Sequence, residues 1–388
     1  MSSNNYNPNT APSTWKLKAL MVVMGILVAL FIAEISMRFR APLGHEAMLF
    51  GAPDFSHPDL YVEDQELHLV PNAGFSGSVS TLEYTTTVNI NSIGTRGPEL
   101  EPKRQDELRL LAMGDSFTLG VQVEDSETFS AIMARDLSDR LDRPVSILNA
   151  GVDGFGTIQA AILAGRLGNA TDIDGLILTF FTGNDFWDNG HYSSRIAADQ
   201  IEFQPPTAPT LSPIDRVLGR VSYLYAWIKV NIKARALRSD PPRIQRYSNE
   251  LKIFVRGDST IRRSINPTNA ALNRLKRLCD RNAWDCFVAI APPAFVAHGE
   301  RLSSTFDLVG IDPNTVDPLL PSRAARQAAQ ALFPTIDLSS ALIDAGADEP
   351  LYFRFDGHWN RAGHRVVADT LTPWLADLLT ESEADVRR

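Results

Sequence analysis

Short apolar runs alternate with longer amphipathic stretches over the last two thirds of the chain. The runs lie at residues 108–113, 145–148, 176–181 and 287–291, with a shorter one at 335–338. Stretches with the apolar spacing of helices lie at 128–141, 158–167, 270–278 and 361–379. Strands that alternate with helices in this way predict βαβ units arranged around a parallel sheet.

The most apolar stretch lies near the N-terminus. From Ala19 to Met37 only Glu34 and Ser36 are strongly polar, which is close to the roughly 20 residues that a helix needs to cross a bilayer. Basic residues flank both ends, and we expect the N-terminus inside because the preceding tail is short. No small-x-small cleavage site follows, so the sequence predicts an uncleaved anchor over 17–38. A cleaved signal peptide is the main alternative, and a buried core helix is a weaker one.

These patterns divide the chain into parts with different expected roles. They are a disordered polar tail at 1–16, the transmembrane anchor at 17–38, a linker and β-rich lead-in at 39–106, and a main domain at 107–380. An insertion rich in Pro, Arg and aromatic residues interrupts the main domain at about 186–265. It either covers the cleft or leans on the membrane, or it is a solvated helical excursion. The segment 292–320 is expected to be rich in loops.

Composition narrows the classes of function. The 388 residues carry a formal net charge of −9, which argues against nucleic acid as a partner because phosphate binding needs clustered Lys and Arg. Cys279 and Cys286 lie seven positions apart, without a second Cys or His pair at metal-binding spacing. They are either two small buried residues or, if the domain lies outside the cytoplasm, a local disulfide that joins a helix end to the next strand.

Residues able to carry chemistry follow the first three predicted strands. Ser116 lies in a Gly-Asp-Ser turn, Gly151 ends an Asn-Ala-Gly turn, and Asn184 lies in a Gly-Asn-Asp turn. Ligands of open parallel sheets bind beyond the carboxyl ends of the strands, so we expect these turns to converge. Ser116 would offer a hydroxyl, Gly151 a backbone N–H, and Asn184 an amide donor for an oxyanion. Each alone is also typical of an ordinary turn.

A candidate base precedes the last predicted helix. His358 is the natural base for a serine hydroxyl near neutral pH, and Asp356 could orient its ring and stabilise the imidazolium. Residues two apart share a side in an extended segment, so the pair could act together. His364 falls inside the helix, where a structural role is expected. Together the segments supply a nucleophile, two donors and a base, which is the set required for acyl transfer through serine.

In this order the segments resemble the conserved blocks of the SGNH (GDSL-like) hydrolases. Gly114-Asp-Ser116-Phe is similar to block I, Gly151 to block II, Gly183-x-Asp with Asn184 to block III, and Asp356 to His358 to block V. The segments 91–97 and 358–364 are similar to membrane-anchored bacterial members, and the resemblance covers about 91–377 apart from the insertion. The spacing Asp-x-His departs from the usual Asp-x-x-His and is similar to relatives of the alginate O-acetylation proteins. It leaves open the third triad member and the direction of acyl transfer.

The resemblance implies a flavodoxin-like three-layer α/β/α sandwich with a central parallel sheet, which is the SGNH hydrolase fold. It also implies that Ser116 is the nucleophile, His358 the base and Asp356 its partner. The N–H groups of Ser116 and Gly151 and the Asn184 side chain would form the oxyanion hole, and neither a metal nor an organic cofactor is implied. We expect the substrate to be an ester-linked acyl group, such as O-acetyl, on an extracytoplasmic glycan or lipid. The alternatives are a polysaccharide O-acyltransferase of the same fold and a catalytically silent glycan-binding protein of the envelope.

Overall fold

The computed structural model describes most of the chain. The described residues are 14–40, 59–81, 83–190, 241–354 and 356–386, together with 218, 222, 224, 225, 227–229 and 232. The polar tail before residue 14, the first part of the linker and much of the insertion lie outside the described residues.

Helix α1 spans Thr14–Arg40 and contains the predicted anchor. Within it, Trp15–Ser36 has a mean hydropathy of 2.5, and none of this stretch is buried in the protein. At 1.5 Å per residue, the stretch is about 33 Å long, against about 30 Å for the hydrocarbon core. By length and composition this helix could cross a membrane.

The lead-in consists of two antiparallel hairpins. Their strands are β1 at Tyr61–Asp64, β2 at His68–Pro71, β3 at Ser76–Ser80 and β4 at Thr85–Asn89. In β4 the side chains alternate, with Thr86 and Val88 buried and Thr85 and Thr87 exposed, as expected of a strand with one face on a core. Buried residues of the lead-in belong to the same hydrophobic cluster as the main domain, so the hairpins pack on that domain.

The main domain is built on a five-stranded parallel sheet. Its strands are β5 at Leu108–Gly114, β6 at Val145–Gly151, β7 at Gly175–Phe181, β8 at Asp285–Ala291 and β9 at Thr335–Asp337. They are ordered β6-β5-β7-β8-β9, and every neighbouring pair is parallel. Counted along the chain this is 2-1-3-4-5, the flavodoxin-like order. The predicted fold class is therefore confirmed, and the switch point lies between β5 and β7.

Helices cover both faces of the sheet. They are α2 at Ser116–Leu119, α3 at Phe129–Leu141, α4 at Thr157–Thr171, α5 at Pro241–Leu251, α6 at Thr260–Asn282, α7 at Ala294–Ala297, α8 at Leu302–Leu308, α9 at Leu320–Gln330, α10 at Ser339–Gly346 and α11 at Arg361–Val386. Residues 185–190 are helical as well.

Leu111 and Leu176 belong to one buried cluster, and their neighbours Leu110 and Ile177 belong to the other. Successive residues of a strand face opposite sides, so the two clusters are the two interfaces of a three-layer sandwich.

Two expectations about the second half of the chain need correction. Helix α6 begins ten residues before the predicted 270–278 and contains Pro267. A proline in a sequence indicates a break in a helix, and the only buried residues in the first half of this helix are Thr260, Ser264 and Thr268. The segment 292–320 also contains the short helices α7 and α8 instead of loops alone.

Of the two readings of the cysteines, the structure contains the disulfide. Cys279 near the end of α6 is bonded to Cys286 in β8, and both residues are buried. The bond ties this helix to the strand that follows it.

Candidate active site

The candidate nucleophile is the first residue of α2, immediately after β5. Gly114 precedes it with φ +153°, and a Cβ at this glycine would lie 2.3 Å from Thr118 Oγ1, so a larger residue does not fit the turn. The Asp115 carboxylate accepts the Phe117 N–H at 2.9 Å and caps the short helix. The strand end, the glycine and the cap together fix Ser116 at the strand-to-helix turn where the sequence predicts it.

The candidate base meets this serine across 242 positions of sequence. His358 Nε2 lies 2.7 Å from Ser116 Oγ, and His358 Nδ1 bonds to Asp356 Oδ1 on its other side. Gly357 between them has φ +78°, a left-handed conformation that suits glycine. The pair is therefore brought together by a turn and not, as expected, by an extended segment. The hydroxyl, imidazole and carboxylate form one connected row.

The charges around the row make the imidazole of His358 a stronger base. Burial on its own would lower the pKa of His358, but the carboxylates of Asp356, Asp153 and Asp115 outweigh it and raise that pKa above its usual value. For Asp356, burial acts to raise the pKa, while the charge and hydrogen bond of His358 and the hydroxyl of Tyr84 lower it overall. Burial raises the pKa of Asp115 to about 7. Asp356 is thus an anion at neutral pH, able to stabilise an imidazolium.

The lead-in supplies two supporting residues that sequence reasoning missed. The Tyr84 hydroxyl donates to Asp356 Oδ2 at 2.8 Å. The Glu83 carboxylate accepts the backbone N–H of Arg354 at 2.7 Å and that of Asp356 at 2.8 Å. Neither residue belongs to a recognisable motif, and the alternation of β4 indicates only that a strand begins beside them.

A further carboxylate was missed at the end of β6. Asp153 faces Ser116 and lies close enough to His358 and Asp356 for their charges to shift its titration. Burial is the main cause of the raised pKa of Asp153. Its only sequence signal is a carboxylate two residues beyond the Asn-Ala-Gly turn.

The two predicted oxyanion donors after β6 and β7 differ in their surroundings. The neighbouring Asp185 carboxylate accepts the Phe181 N–H of β7 at 2.9 Å, which ties the turn back to the strand. Among the described residues, the buried Asn184 Oδ1 has no hydrogen-bond partner. The Gly151 N–H donates to Asn149 Oδ1 at 3.1 Å.

Gly151 also has a packing role. A Cβ at this position would lie 2.2 Å from the backbone nitrogen of Leu119. Glycine therefore allows the end of β6 to pack directly against the short helix that carries Ser116.

The second candidate histidine is a packing residue. His364 is 1% exposed, its Nδ1 accepts the Phe129 N–H at 3.2 Å, and its ring stacks on that phenylalanine with centroids 6.2 Å apart. Burial lowers the pKa of His364 to about 3, so the ring is neutral. This agrees with the structural role expected for it.

Arg96, from the segment 91–97, supports the other end of the nucleophile helix. Its guanidinium donates to the Leu119 carbonyl at 2.8 Å, to the Val123 carbonyl at 2.6 Å and to Asp125 at 2.7 Å. The helix end and the loop behind it are thereby held to the lead-in. Within the described ranges, no cluster of three or more His, Cys, Asp or Glu side chains could hold a metal ion.

Comparisons with known proteins give similar structures but no sequence relative. No family model matches the chain, and no curated protein matches it significantly. An esterase of a Pseudoalteromonas species is similar over 70% of this chain and 98% of its own, at 10% identity and a TM-score of 0.37. The lipase/acylhydrolase from Enterococcus faecalis is similar over 70% of this chain and 96% of its own, at 13% identity and a TM-score of 0.36. An acetyl-xylooligosaccharide esterase from Geobacillus Stearmophilus is similar over 68% of this chain and 92% of its own, at 11% identity and a TM-score of 0.37.

Proposed function

We propose that this chain is a serine esterase. The observation that carries the proposal is the row of Ser116, His358 and Asp356, in which Ser116 Oγ lies 2.7 Å from His358 Nε2. A hydroxyl bonded to an imidazole, with a carboxylate oriented behind that imidazole, is an arrangement that activates serine for attack on an acyl carbon.

In the proposed reaction, Ser116 Oγ attacks the ester carbonyl while His358 Nε2 takes its proton. The imidazolium that forms is stabilised by Asp356 on the other ring nitrogen. Collapse of the tetrahedral intermediate expels the alcohol, which takes the proton from His358, and leaves an acyl-serine. Water then attacks this ester with His358 as the base, and the acid and free Ser116 result.

For the oxyanion hole we propose the Ser116 N–H, the Gly151 N–H and the Asn184 amide. Asn184 is supported by its position in the turn after β7, beside the switch point of the sheet. The Gly151 N–H can contribute only if it gives up its bond to Asn149. Loss of one such donor typically costs about 10²- to 10³-fold in rate, so Asn184→Ala should be strongly impaired.

We further propose that the chain acts outside the cytoplasm, on an ester-linked acyl group of a glycan or lipid, such as O-acetyl. The helix at Trp15–Ser36 supports a membrane anchor, and we propose that its N-terminus lies inside. The bond between Cys279 and Cys286 supports an oxidising compartment, where disulfides persist. Such a location gives access to envelope glycans and lipids.

A polysaccharide O-acyltransferase is the second candidate. It is favoured by Asp153, a carboxylate that faces Ser116 and could accept a hydrogen bond from an acceptor hydroxyl attacking the acyl-serine. Incubation with an acyl donor and a glycan, followed by mass analysis of both, separates the two. Free acid alone indicates a hydrolase, and acylated glycan indicates a transferase. The third alternative, a silent glycan-binding protein, predicts that no fluorophosphonate probe labels Ser116.

The test of the core proposal is hydrolysis of p-nitrophenyl acetate by the full chain in detergent micelles. Ser116→Ala should abolish the enzymatic rate and the labelling by a fluorophosphonate probe. The matched control is Ser340→Ala, which removes the hydroxyl of an exposed serine on α10 and should change neither. Unchanged turnover in Ser116→Ala would remove this serine from the chemistry.

A further inference from the structure

The turn between β3 and β4 packs against the segment that carries the base. We define the base turn as residues 352–354 and 356–358. Its backbone is closed by the Phe353 N–H, which donates to the His358 carbonyl at 2.8 Å. The lead-in turn is also closed, since the Thr81 N–H donates to the Tyr84 carbonyl at 2.8 Å. Two locally formed turns therefore meet, and their contacts are made by side chains.

The contact at Tyr84 is directed at one atom of Asp356. The hydroxyl donates to Oδ2 at 2.8 Å, while Oδ1 faces His358. Tyr84 and Asp356 are 6% and 1% exposed, so water can hardly replace this donor. A buried carboxylate without partners is costly, and Tyr84 supplies the partner that the base turn lacks on this side. The aromatic ring also contacts Phe353, with centroids 5.0 Å apart.

The contact at Glu83 fixes the backbone that carries the same carboxylate. One oxygen accepts the Arg354 N–H at 2.7 Å and the other accepts the Asp356 N–H at 2.8 Å. Both oxygens of one side chain are thus used on two amides of one turn. Because the amides flank the start of the Asp-x-His segment, Glu83 sets the direction in which Asp356 leaves the backbone.

We propose that Glu83 and Tyr84 are positioning residues, which hold Asp356 against His358 and make the two-residue spacing of this pair workable. The inference rests on the proposed esterase function. The lead-in is then part of the active site through its contacts to the base turn.

Tyr84 can act as a donor across the whole pH range of an esterase assay. Burial, with the negative charge of Asp356 beside it, raises the pKa of Tyr84 well above its usual value. The hydroxyl therefore keeps its proton, and any pH dependence that changes in a Tyr84 variant reports on Asp356 and His358.

The test uses the full chain in micelles and measures kcat, KM and the pH profile of p-nitrophenyl acetate hydrolysis. Tyr84→Phe removes only the hydroxyl, and we expect kcat to fall about 10- to 100-fold, the effect typical of losing a hydrogen bond to a buried charge, with KM little changed. As Asp356 loosens from His358, the pKa of His358 should fall, and the acidic limb of the profile should move to lower pH. Tyr247→Phe is the matched control, because Tyr247 is a partly buried tyrosine on α5. This variant should behave as the wild type.

Glu83→Gln is the second variant, because it keeps the side chain's size while replacing one of the two acceptor oxygens. Glu83→Gln should also lower kcat. If Tyr84→Phe fails to fold, as judged by circular dichroism and Tm, the kinetics of Glu83→Gln test the positioning role instead. A merely structural role would lower Tm without moving the acidic limb.

The two proposals fail in distinguishable ways. Activity that survives Ser116→Ala overturns the esterase proposal and this inference with it. Activity that depends on Ser116 but keeps its kcat and its acidic limb in a folded Tyr84→Phe variant overturns the positioning role alone. A limb that moves to higher pH would do the same, because it would mean that Asp356 remains in place and that its charge, no longer shared with the Tyr84 hydroxyl, acts more strongly on His358.

Discussion

The nucleophile turn and the base turn are built in opposite ways. Ser116 is placed by its immediate neighbours, since Gly114 makes the bend and Asp115 caps the helix that follows. Asp356 receives its second hydrogen bond from Tyr84, which lies 272 positions away. The nucleophile turn is shaped by hydrogen bonds between its own residues, whereas the carboxylate of the base turn is held by a partner from the lead-in.

The difference shows where a short motif is informative. Where the bend, cap and functional residue lie within three positions, the motif encodes the geometry, and Gly-Asp-Ser can be read directly. Where a buried carboxylate depends on remote donors, the motif specifies only the residue that is held. The base turn should therefore be more sensitive to changes outside its own sequence.

The largest effect is expected where the two turns meet. Ser116→Ala and His358→Ala should each lower kcat by on the order of 10⁴- to 10⁶-fold, because residues that act as a unit fail together. The double variant should then be little worse than either single one. Esterase kinetics on the three variants, with labelling by a fluorophosphonate probe, checks this. If the two losses in kcat multiply in the double variant, the two residues act independently.

A smaller but still large effect is expected inside the base turn. Asp356→Asn should lower kcat by on the order of 10³- to 10⁴-fold, since an amide cannot stabilise the imidazolium or maintain the ring tautomer. Because the carboxylate raises the pKa of His358, its loss should move the acidic limb of the pH profile to lower pH. Asp348→Asn, on a loop away from the site, is the control. If the acidic limb stays in place, groups other than Asp356 cause the raised pKa of His358.

The sequence predicts the sheet because its strands follow a local pattern, and it predicts the row of Ser116, His358 and Asp356 from short motifs that follow the order of a known family's blocks. Buried strands such as Asp285–Ala291 are nearly continuous apolar runs, and the ends of parallel strands must meet at one edge. Glu83 and Tyr84 could not be predicted, since their roles follow from how a separate hairpin packs. The early start of α6 was missed because Pro267 lies inside the helix, where a sequence pattern indicates a break.

The lead-in also contacts the nucleophile side, which allows a direct comparison with Tyr84. Arg96→Lys cannot reproduce the three hydrogen bonds of the guanidinium and leaves buried carbonyls unpaired, at a cost of about 2–4 kcal/mol in the free energy of unfolding. We expect Tm to fall by about 5 °C or more while the acidic limb of the folded fraction stays in place. Arg135→Lys, at an exposed position, should leave Tm unchanged. A moved limb would mean that the nucleophile turn also depends on remote support.

The smallest effect on catalysis is expected at His364, a neutral ring that packs against Phe129 and Trp359. Its pKa is lowered by burial to about 3 in the folded chain and returns to about 6.5 on unfolding. Between these two pH values the imidazole of His364 is therefore protonated in the unfolded state and neutral in the folded state. The resulting stability is fully present above pH 6.5 and is lost as the pH falls towards 3, by at most about 1.4 kcal/mol per pH unit. Thermal unfolding at a series of pH values should show a shallower decline in His364→Gln than in the wild type. Parallel declines would mean that other groups cause the loss of stability in acid.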